Sequence, residues 1–418
     1  MYSREGRRLS DHRLFAYLAI LGPGLIAANA GNDASGIATY SSAGATYGYS
    51  LLWTFIPMTI SLIVVQEMCV RMGVVTGQGL ADLIREQFGV RWTALVMLAL
   101  LIANTGVIIS EFVGIAQASE LMGVPRWASV PAAAAFIWWL VVKGSQRRVE
   151  RVFLAMSLVF FAYVLAAFLA RPDWGQAAAG FVEPQFEFTS AYLFTTMALI
   201  GTTITPFMQV YAQSAVVEKG TDTDDLTIAR VDAVSGTLFA NTIAACIMIA
   251  TAATLHVHGV FEVDSARTAA ESLAPIAGQY AKYLFAIGLL GAAMLAMGVL
   301  PLSTAYSVSE ALGFEKGISR SFREAPIFLG IFTGLIVIGC FVALIPGIPQ
   351  IKLLLLTQCV NGLLLPIILA AIVILASNEE IMGKYKNSLV FNLTAWTTAA
   401  VVSILSVLLI GKAIADMF

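Results

Sequence analysis

The sequence predicts an all-α polytopic membrane protein. It has eleven spanning helices, arranged as two five-helix halves of opposite orientation with one helix added. Three observations predict this. Only 12% of the 418 residues are charged and 59% are hydrophobic, with a mean hydropathy of +0.83. Soluble domains carry about a quarter charged residues. Eleven runs are long and apolar enough to cross a bilayer, which takes ~20 residues. The first and the sixth of these runs are both interrupted.

The elements follow in order. Residues 1–13, "MYSREGRRLSDHR", read as a basic cytoplasmic leader, with no small-residue cleavage site after them. The spans are expected at 14–44, 50–72, 92–119, 126–143, 151–171, 190–218, 231–257, 280–311, 326–347, 352–377 and 388–412. The first half is then 14–171, the second half 190–377, and 388–412 is the additional helix. With the N-terminus in the cytoplasm and strict alternation, only Arg126, Arg171, Arg267, Lys282, Lys352 and Lys412 fall outside. The other 18 of the 24 basic residues fall inside. This is the bias that sets orientation, and it puts the C-terminus outside.

The interruptions carry the functional signal. The first span contains "AANAGNDASGIATY" (28–41), with Asn32 and Asp33 at membrane depth and Gly31 and Gly36 beside them. The sixth contains "LIGTTITPFMQ" (199–209), where Pro206 lacks an N–H and Gly201 weakens the helix. Unwound backbone is tolerated in lipid only where it is buried in protein or lines a cavity. Broken helices in corresponding positions of two halves point to a transporter's binding site. The two spans are five apart, an odd offset, so the second half repeats the first upside down. An intramembrane Asp is itself a functional hypothesis.

Other classes find little support. The net charge of −2 and the lack of a basic tract argue against nucleic acid. Cys69, Cys246, Cys340 and Cys359 sit in apolar runs without metal-type spacing and read as reduced, buried thiols. A diaspartyl protease needs a second membrane Asp, and Asp33 reads as the only one. No span offers a Ser with a membrane His, nor His-Glu-x-x-His. No soluble signalling domain suits a metal sensor. An organic carboxylate as cargo would be repelled by Asp33. No enzyme activity and no cofactor are expected, and the protein is expected to act as a monomer in the plasma membrane.

The stretches "ILGPGLIAANAGNDASGIATYSSAGATYGYSLLW" (20–53) and "RMGVVTGQGLADLIREQFG" (71–89) resemble the natural-resistance-associated macrophage protein (Nramp) family. Weaker similarity continues through "SEFVG" (110–114), "GTTITP" (201–206) and "LLLTQ" (354–358). The resemblance implies a LeuT-type fold and divalent metal transport. It also locates departures. The family's Asp-Pro-Gly-Asn reads Asp33, Ala34, Ser35, Gly36 here, so the metal-binding Asp is kept and the Asn ligand is replaced. The family's Met before the helix 6 proline is Thr205. The following His is Phe207, or Met208 with a one-residue shift. On helix 3 Glu111 is kept, while the family's Asp three residues earlier is Ile108.

The resemblance implies a metal site of Asp33, the Ala30 carbonyl, Thr202, Thr205 and Gln358, with Gly36 opening space where the Asn stood. Thioethers favour soft metals, whereas carboxylate, carbonyl, hydroxyl and water suit Mg²⁺, Ca²⁺ and Mn²⁺. Mg²⁺ also keeps several waters, so Mg²⁺ is the expected cargo, with Mn²⁺ as a second, as in a magnesium-transporting branch of the family. Asn32 reads as a cap of the second half-helix or as a neighbour of the ion. Thr203 is expected to bond its own helix. Proton coupling needs further titratable groups. His12 is in the leader, and His256 and His258 read as solvated at an outer end. Transport is therefore expected to be uncoupled and driven by gradient and potential, which gives a divalent ion ~4.6 kcal/mol per 100 mV. Glu67, expected in an aqueous vestibule, and Glu111 are the remaining candidates for a relay or a hydrogen-bond network. The rival reading is a proton-coupled Mn²⁺/Fe²⁺ symporter of the family's main branch.

Overall fold

The computed structural model describes residues 22–263, 281–345 and 350–415. The leader, His12 and the start of the first predicted span lie outside the described residues. Every regular element among the described residues is helical.

The first span is two half-helices, α1 (Pro23–Ala30) and α2 (Ala34–Tyr47). α3 (Phe55–Thr76) follows and stops at Gly77, whose φ of 65° supplies a left-handed cap. A short amphipathic helix, α4 (Leu80–Phe88), leads into the long α5 (Val90–Leu121). α6 (Arg126–Lys143) and the pair α7 (Gln146–Ser157) and α8 (Phe161–Leu169) complete the first half. α9 (Trp174–Val182) then lies between the halves, capped by Asp173.

The sixth span is again two half-helices, α10 (Ser190–Thr203) and α11 (Pro206–Lys219). α12 (Leu226–Thr251) ends in a π-helical turn over Ala252–His256. After it come α13 (Ala281–Leu312), α14 (Pro326–Ala343) and α15 (Gln350–Ser377). The short α16 (Glu379–Met382) and the final α17 (Leu389–Ala415) close the chain. Nine helical segments among the described residues are long and apolar enough to cross a membrane. The other two predicted spans coincide with the broken pair α1/α2 and with α6.

Burial divides the helices into a core and a coat. In a membrane-length stretch of Ser190–Lys219, 89% of the residues are buried, whereas in one of Leu389–Lys412 33% are. The coat helices turn bare apolar side chains outward, among them Trp92, Ile102, Phe341, Leu393 and Val407. In water such a surface would aggregate; in lipid it is the solvated face. In the core, α13 packs along α5, α10 packs against α15, and α12 packs against α1, α2 and α3. Gly201 is what lets α10 meet α15: a Cβ there would stand 1.9 Å from the Gln358 carbonyl oxygen.

The two breaks are held by long-range contacts. A helix start leaves backbone N–H groups without partners. For α1 these groups are taken by Asp232 on α12, which accepts from the Gly22, Gly24 and Leu25 N–H groups at 3.1, 2.7 and 3.3 Å. Asp232 is thus a second buried aspartate, contrary to the sequence expectation that Asp33 stands alone. Its carboxylate caps α1, while Asp33 lies past the far end of that helix, roughly 12 Å of helix away, so the two form no catalytic dyad.

Candidate cation site between two broken helices

α1 ends at Ala30. The Gly31 and Asn32 N–H groups donate back to the Ala28 and Asn29 carbonyls, and the chain then leaves the helix. Asp33 is extended, with φ −69° and ψ 179°, and is the N-cap of α2. Its Oδ1 accepts from the Gly36 N–H at 2.5 Å and the Ser35 hydroxyl at 2.8 Å. The carboxylate therefore sits at the positive end of α2, where an N-cap side chain satisfies orphan N–H groups. It is fully buried.

Glu111 on α5 completes this start. Its Oε2 accepts from the Ala34 N–H at 2.9 Å, a donor that an unbroken helix would aim at the Ala30 carbonyl, and its Oε1 accepts from the Ser35 hydroxyl at 3.3 Å. α5 comes this close because Gly114 faces Ala34, where a Cβ would stand 2.3 Å from the Ala34 Cβ. Ser35 thus lies between two buried acids, Asp33 and Glu111.

The sixth span contributes from the other side. The Thr202 hydroxyl donates to the Gly31 carbonyl at 3.4 Å. Thr203 bonds its own helix at Leu199 and also meets the Tyr40 hydroxyl at 3.2 Å. Thr205 is the N-cap of α11, makes no capping bond, and is fully buried with its hydroxyl unpartnered among the described residues. On α15, Gln358 donates through Nε2 to Ser35 Oγ at 2.5 Å and to both Asp33 oxygens at 3.4 and 3.3 Å. Asn361 donates to Gln358 Oε1 at 3.2 Å. Gln358 therefore presents its amide donor to the carboxylate; a cation at Asp33 requires that amide to turn its oxygen inward.

These contacts bring Asp33, Gly36, Thr202, Gln358 and Glu111 together, while Ala30 and Thr205 stand at the ends of the two breaks without a side-chain hydrogen bond to them among the described residues. Several expectations are corrected. Gly36 opens no space: a Cβ there would stand 2.7 Å from Thr202 Oγ1 and 2.8 Å from the Gly31 carbonyl oxygen. Its role is contact and its N–H bond to Asp33. Asn32 is not the cap; its Nδ2 donates to the Ala240 carbonyl on α12 at 2.8 Å. Glu67 stands in no aqueous vestibule. It is buried and accepts from Arg71 Nε at 3.0 Å and Arg230 Nε at 2.7 Å, away from the breaks. His256 is half-buried rather than solvated, donating from Nδ1 to the Ala45 carbonyl at 2.9 Å. His258 is exposed.

One feature was missed in the sequence. The Met208 sulfur packs on Gly31, 2.7 Å from where a Cβ would stand. A thioether is therefore present at the break although position 205 is Thr. The one-residue shift in aligning "TPFMQ" was the available signal.

The fit at Gly36 gives a direct test. Gly36→Ala places a methyl against Thr202 and the Gly31 carbonyl, an overpacking that costs about 1–3 kcal/mol. The expected outcome is a lower unfolding midpoint in detergent, recovered in part by Gly36→Ala with Thr202→Ser, which removes the threonine methyl and frees the hydroxyl to turn.

A buried carboxylate at one of two interrupted helices that meet each other, bonded by an amide from a third helix inside a multi-pass helical bundle, defines a membrane transporter rather than an enzyme. A family profile described as natural resistance-associated macrophage protein-like, Nramp, matches residues 24–412. The chain belongs to the Nramp family. It is 28% identical over 400 residues to the divalent metal cation transporter MntH of Deinococcus radiodurans, covering 92% of this chain and 88% of that one. It is 28% identical over 411 residues to the MntH of Bacillus subtilis, covering 94% and 92%. Its fold matches the crystal structure of the Eremococcus coleocola manganese transporter bound to an aromatic bis-isothiourea substituted compound. The TM-score is 0.79 at 18% identity, over 98% of this chain and 89% of that one. It matches a closed nucleobase-cation-symport-1 family transporter at 0.52 and 13% identity, over 95% and 93%.

Proposed function

We propose that this chain imports divalent metal cations by alternating access around the two helix breaks, with Mg²⁺ as the main cargo and Mn²⁺ as a second, and without obligatory proton coupling. The cation class is supported by the MntH relatives, whose names describe divalent metal cation transporters. Mn²⁺ as a cargo is supported by the structural likeness to a manganese transporter. The single observation that carries the Mg²⁺ reading is the donor set. Asp33 stands with uncharged oxygens of Ser35, Thr202, Thr205 and Gln358, while the other nearby acid, Glu111, is engaged by the Ala34 N–H and Ser35; among the described residues the buried Thr205 hydroxyl has no protein partner. Hard oxygen donors suit Mg²⁺ and Mn²⁺, and neutral ones leave Mg²⁺ the waters it gives up reluctantly.

Asp33 is the metal-binding carboxylate in this reading, with Ala30, Gly36, Thr202, Thr205 and Gln358 around it. The eleven-helix, N-inside arrangement in the plasma membrane and the monomeric state belong to the same proposal. A second reading, the proton-coupled Mn²⁺/Fe²⁺ symporter, is favoured by two observations: the Met208 sulfur at Gly31 and the buried Glu111 joined to Asp33 through Ser35. Titration calorimetry of detergent-solubilised protein separates them. The Mg²⁺ reading expects Met208→Leu to leave Mg²⁺ affinity within about twofold, since a thioether adds little to a hard cation. Wild-type protein that binds Mn²⁺ through Met208 and takes no Mg²⁺ supports the symporter.

A further inference from the structure

Below the breaks, on the side from which α1 enters and toward which α11 runs, lies a layer of buried amides. Asn29 on α1, Gln66 on α3 and Gln209 on α11 are all fully buried. Among the described residues five of their polar atoms have no hydrogen-bond partner: Asn29 Nδ2 and Oδ1, Gln66 Nε2, and Gln209 Nε2 and Oε1. Leaving one such group unmade costs about 1–3 kcal/mol, and native structures keep few of them. Three side chains of one chemical kind, each with at least one amide atom unpartnered among the described residues, therefore require a reason.

Packing contacts place them within about one helical turn of each other along the membrane normal. On α12, Gly236 meets the Leu25 backbone and the Ala240 carbonyl accepts from Asn32. Asn29, one turn beyond Leu25, is thus level with about Ala240 and within a turn of Thr237. Thr237 in turn donates to Gln66 Oε1 at 3.2 Å. On α11, Met208 touches Gly31, and Gln213 touches Gly73 of α3. Gln209 follows Met208 and precedes Gln213 by one turn, while Gln66 precedes Gly73 by two. The four elements α1, α3, α11 and α12 thus place Asn29, Gln66, Gln209 and Thr237 around one polar layer directly inward of Asp33.

We infer that this layer is a second cation site, a way-station that takes a hydrated divalent cation as it leaves Asp33 toward the cytoplasm. The inference rests on the proposed cation transport. Amides are suited to the task because they are uncharged and both donate and accept. Their oxygens accept hydrogen bonds from the waters of a hydrated ion, so the ion stays solvated without a second carboxylate to trap it. Passage requires binding favourable enough to enter and weak enough to leave. No titratable group belongs to the layer.

The test uses the full chain in proteoliposomes and in detergent, with Asn29→Leu and the volume-conserving Gln209→Met. The expected result is saturated Mg²⁺ uptake slowed about tenfold or more, because the apolar layer offers a solvated ion nothing. Mg²⁺ binding to solubilised protein stays within about twofold, since Asp33 is untouched. The unfolding midpoint is unchanged or higher, as unpartnered amides have been removed. Both variants carrying Mg²⁺ at the wild-type rate overturn the inference and leave the layer as static buried water. Slowed uptake matched by lost binding or a lowered midpoint overturns it as well. Wild-type uptake in the same vesicles reports separately on the proposed cargo: with it intact, those outcomes count against the way-station alone.

Discussion

Asp33→Ala is expected to abolish divalent cation uptake and to weaken Mg²⁺ binding by on the order of 100-fold or more, at about 1.4 kcal/mol per tenfold. Three kinds of donor converge on the Asp33 carboxylate: the Gly36 N–H, the Ser35 hydroxyl and the Gln358 amide. A cation replaces the Gln358 donors and meets a full negative charge in a buried setting, where electrostatic attraction is less screened than in water. Loss of the charge also removes the cap of α2. Losing such a cap costs about 1 kcal/mol, so the midpoint falls modestly while binding disappears. Asp33→Asn separates the two effects. Its side-chain oxygen still caps α2, so it should keep the wild-type midpoint and still fail to transport.

Lys316→Met is expected to produce the largest stability loss outside the site. Lys316 lies in the connection after α13 and pairs with Asp82 Oδ2 at 2.5 Å and Glu310 Oε1 at 3.0 Å. Glu310 is buried and also accepts from the Ser214 hydroxyl at 2.7 Å and the Ala81 N–H at 3.2 Å. The cluster thereby ties α11, α13 and α4. Removing one partner of a buried pair strands the other charge, a loss of roughly 3 kcal/mol. Lys316→Met with Glu310→Gln should recover much of it, because the buried charge is gone and Asp82, partly exposed, keeps Arg85 at 3.6 Å. Burial pulls the Lys316 ammonium down, but Glu310 and then Asp82 outweigh it, and the net shift is upward from 10.5. A raised folded value means that the stabilisation is complete below about pH 10.4, the unfolded lysine value. It fades as the pH climbs through the folded value, so thermal midpoints from pH 7 to 10 should show no loss from this cluster.

The fold was legible where the signal was local. Apolar runs of membrane length, a Gly-Asn-Asp interruption and a Thr-Pro interruption are properties of short windows, and the helices fall on them. α4 and α9 were not foreseen because each is a single short segment whose apolar face is completed by distant partners. The site was legible as a set of residues and less so as contacts. Asp33 was found because an acid at membrane depth is conspicuous. Its capping role was given to Asn32, since the two are adjacent and both residue types cap helices; the choice is made by Ala240, two hundred residues away. Gly36 looked like space because glycine has no side chain, yet the two breaks close over it. Glu67 looked solvated because nothing in its own span announces Arg230. Asp232 sat at a predicted span boundary, where its partners on α1 left no trace in sequence.

The central claim, that the paired breaks bind and move a divalent cation without moving protons, is tested most directly in proteoliposomes holding a Mg²⁺ dye and a pH dye. Mg²⁺ and Mn²⁺ are supplied outside, and Asp33→Ala is the control. The account predicts Mg²⁺ entry without acidification, absent in the control. Mn²⁺ entry with acidification and no Mg²⁺ signal would contradict it and assign the chain to proton-coupled manganese transport.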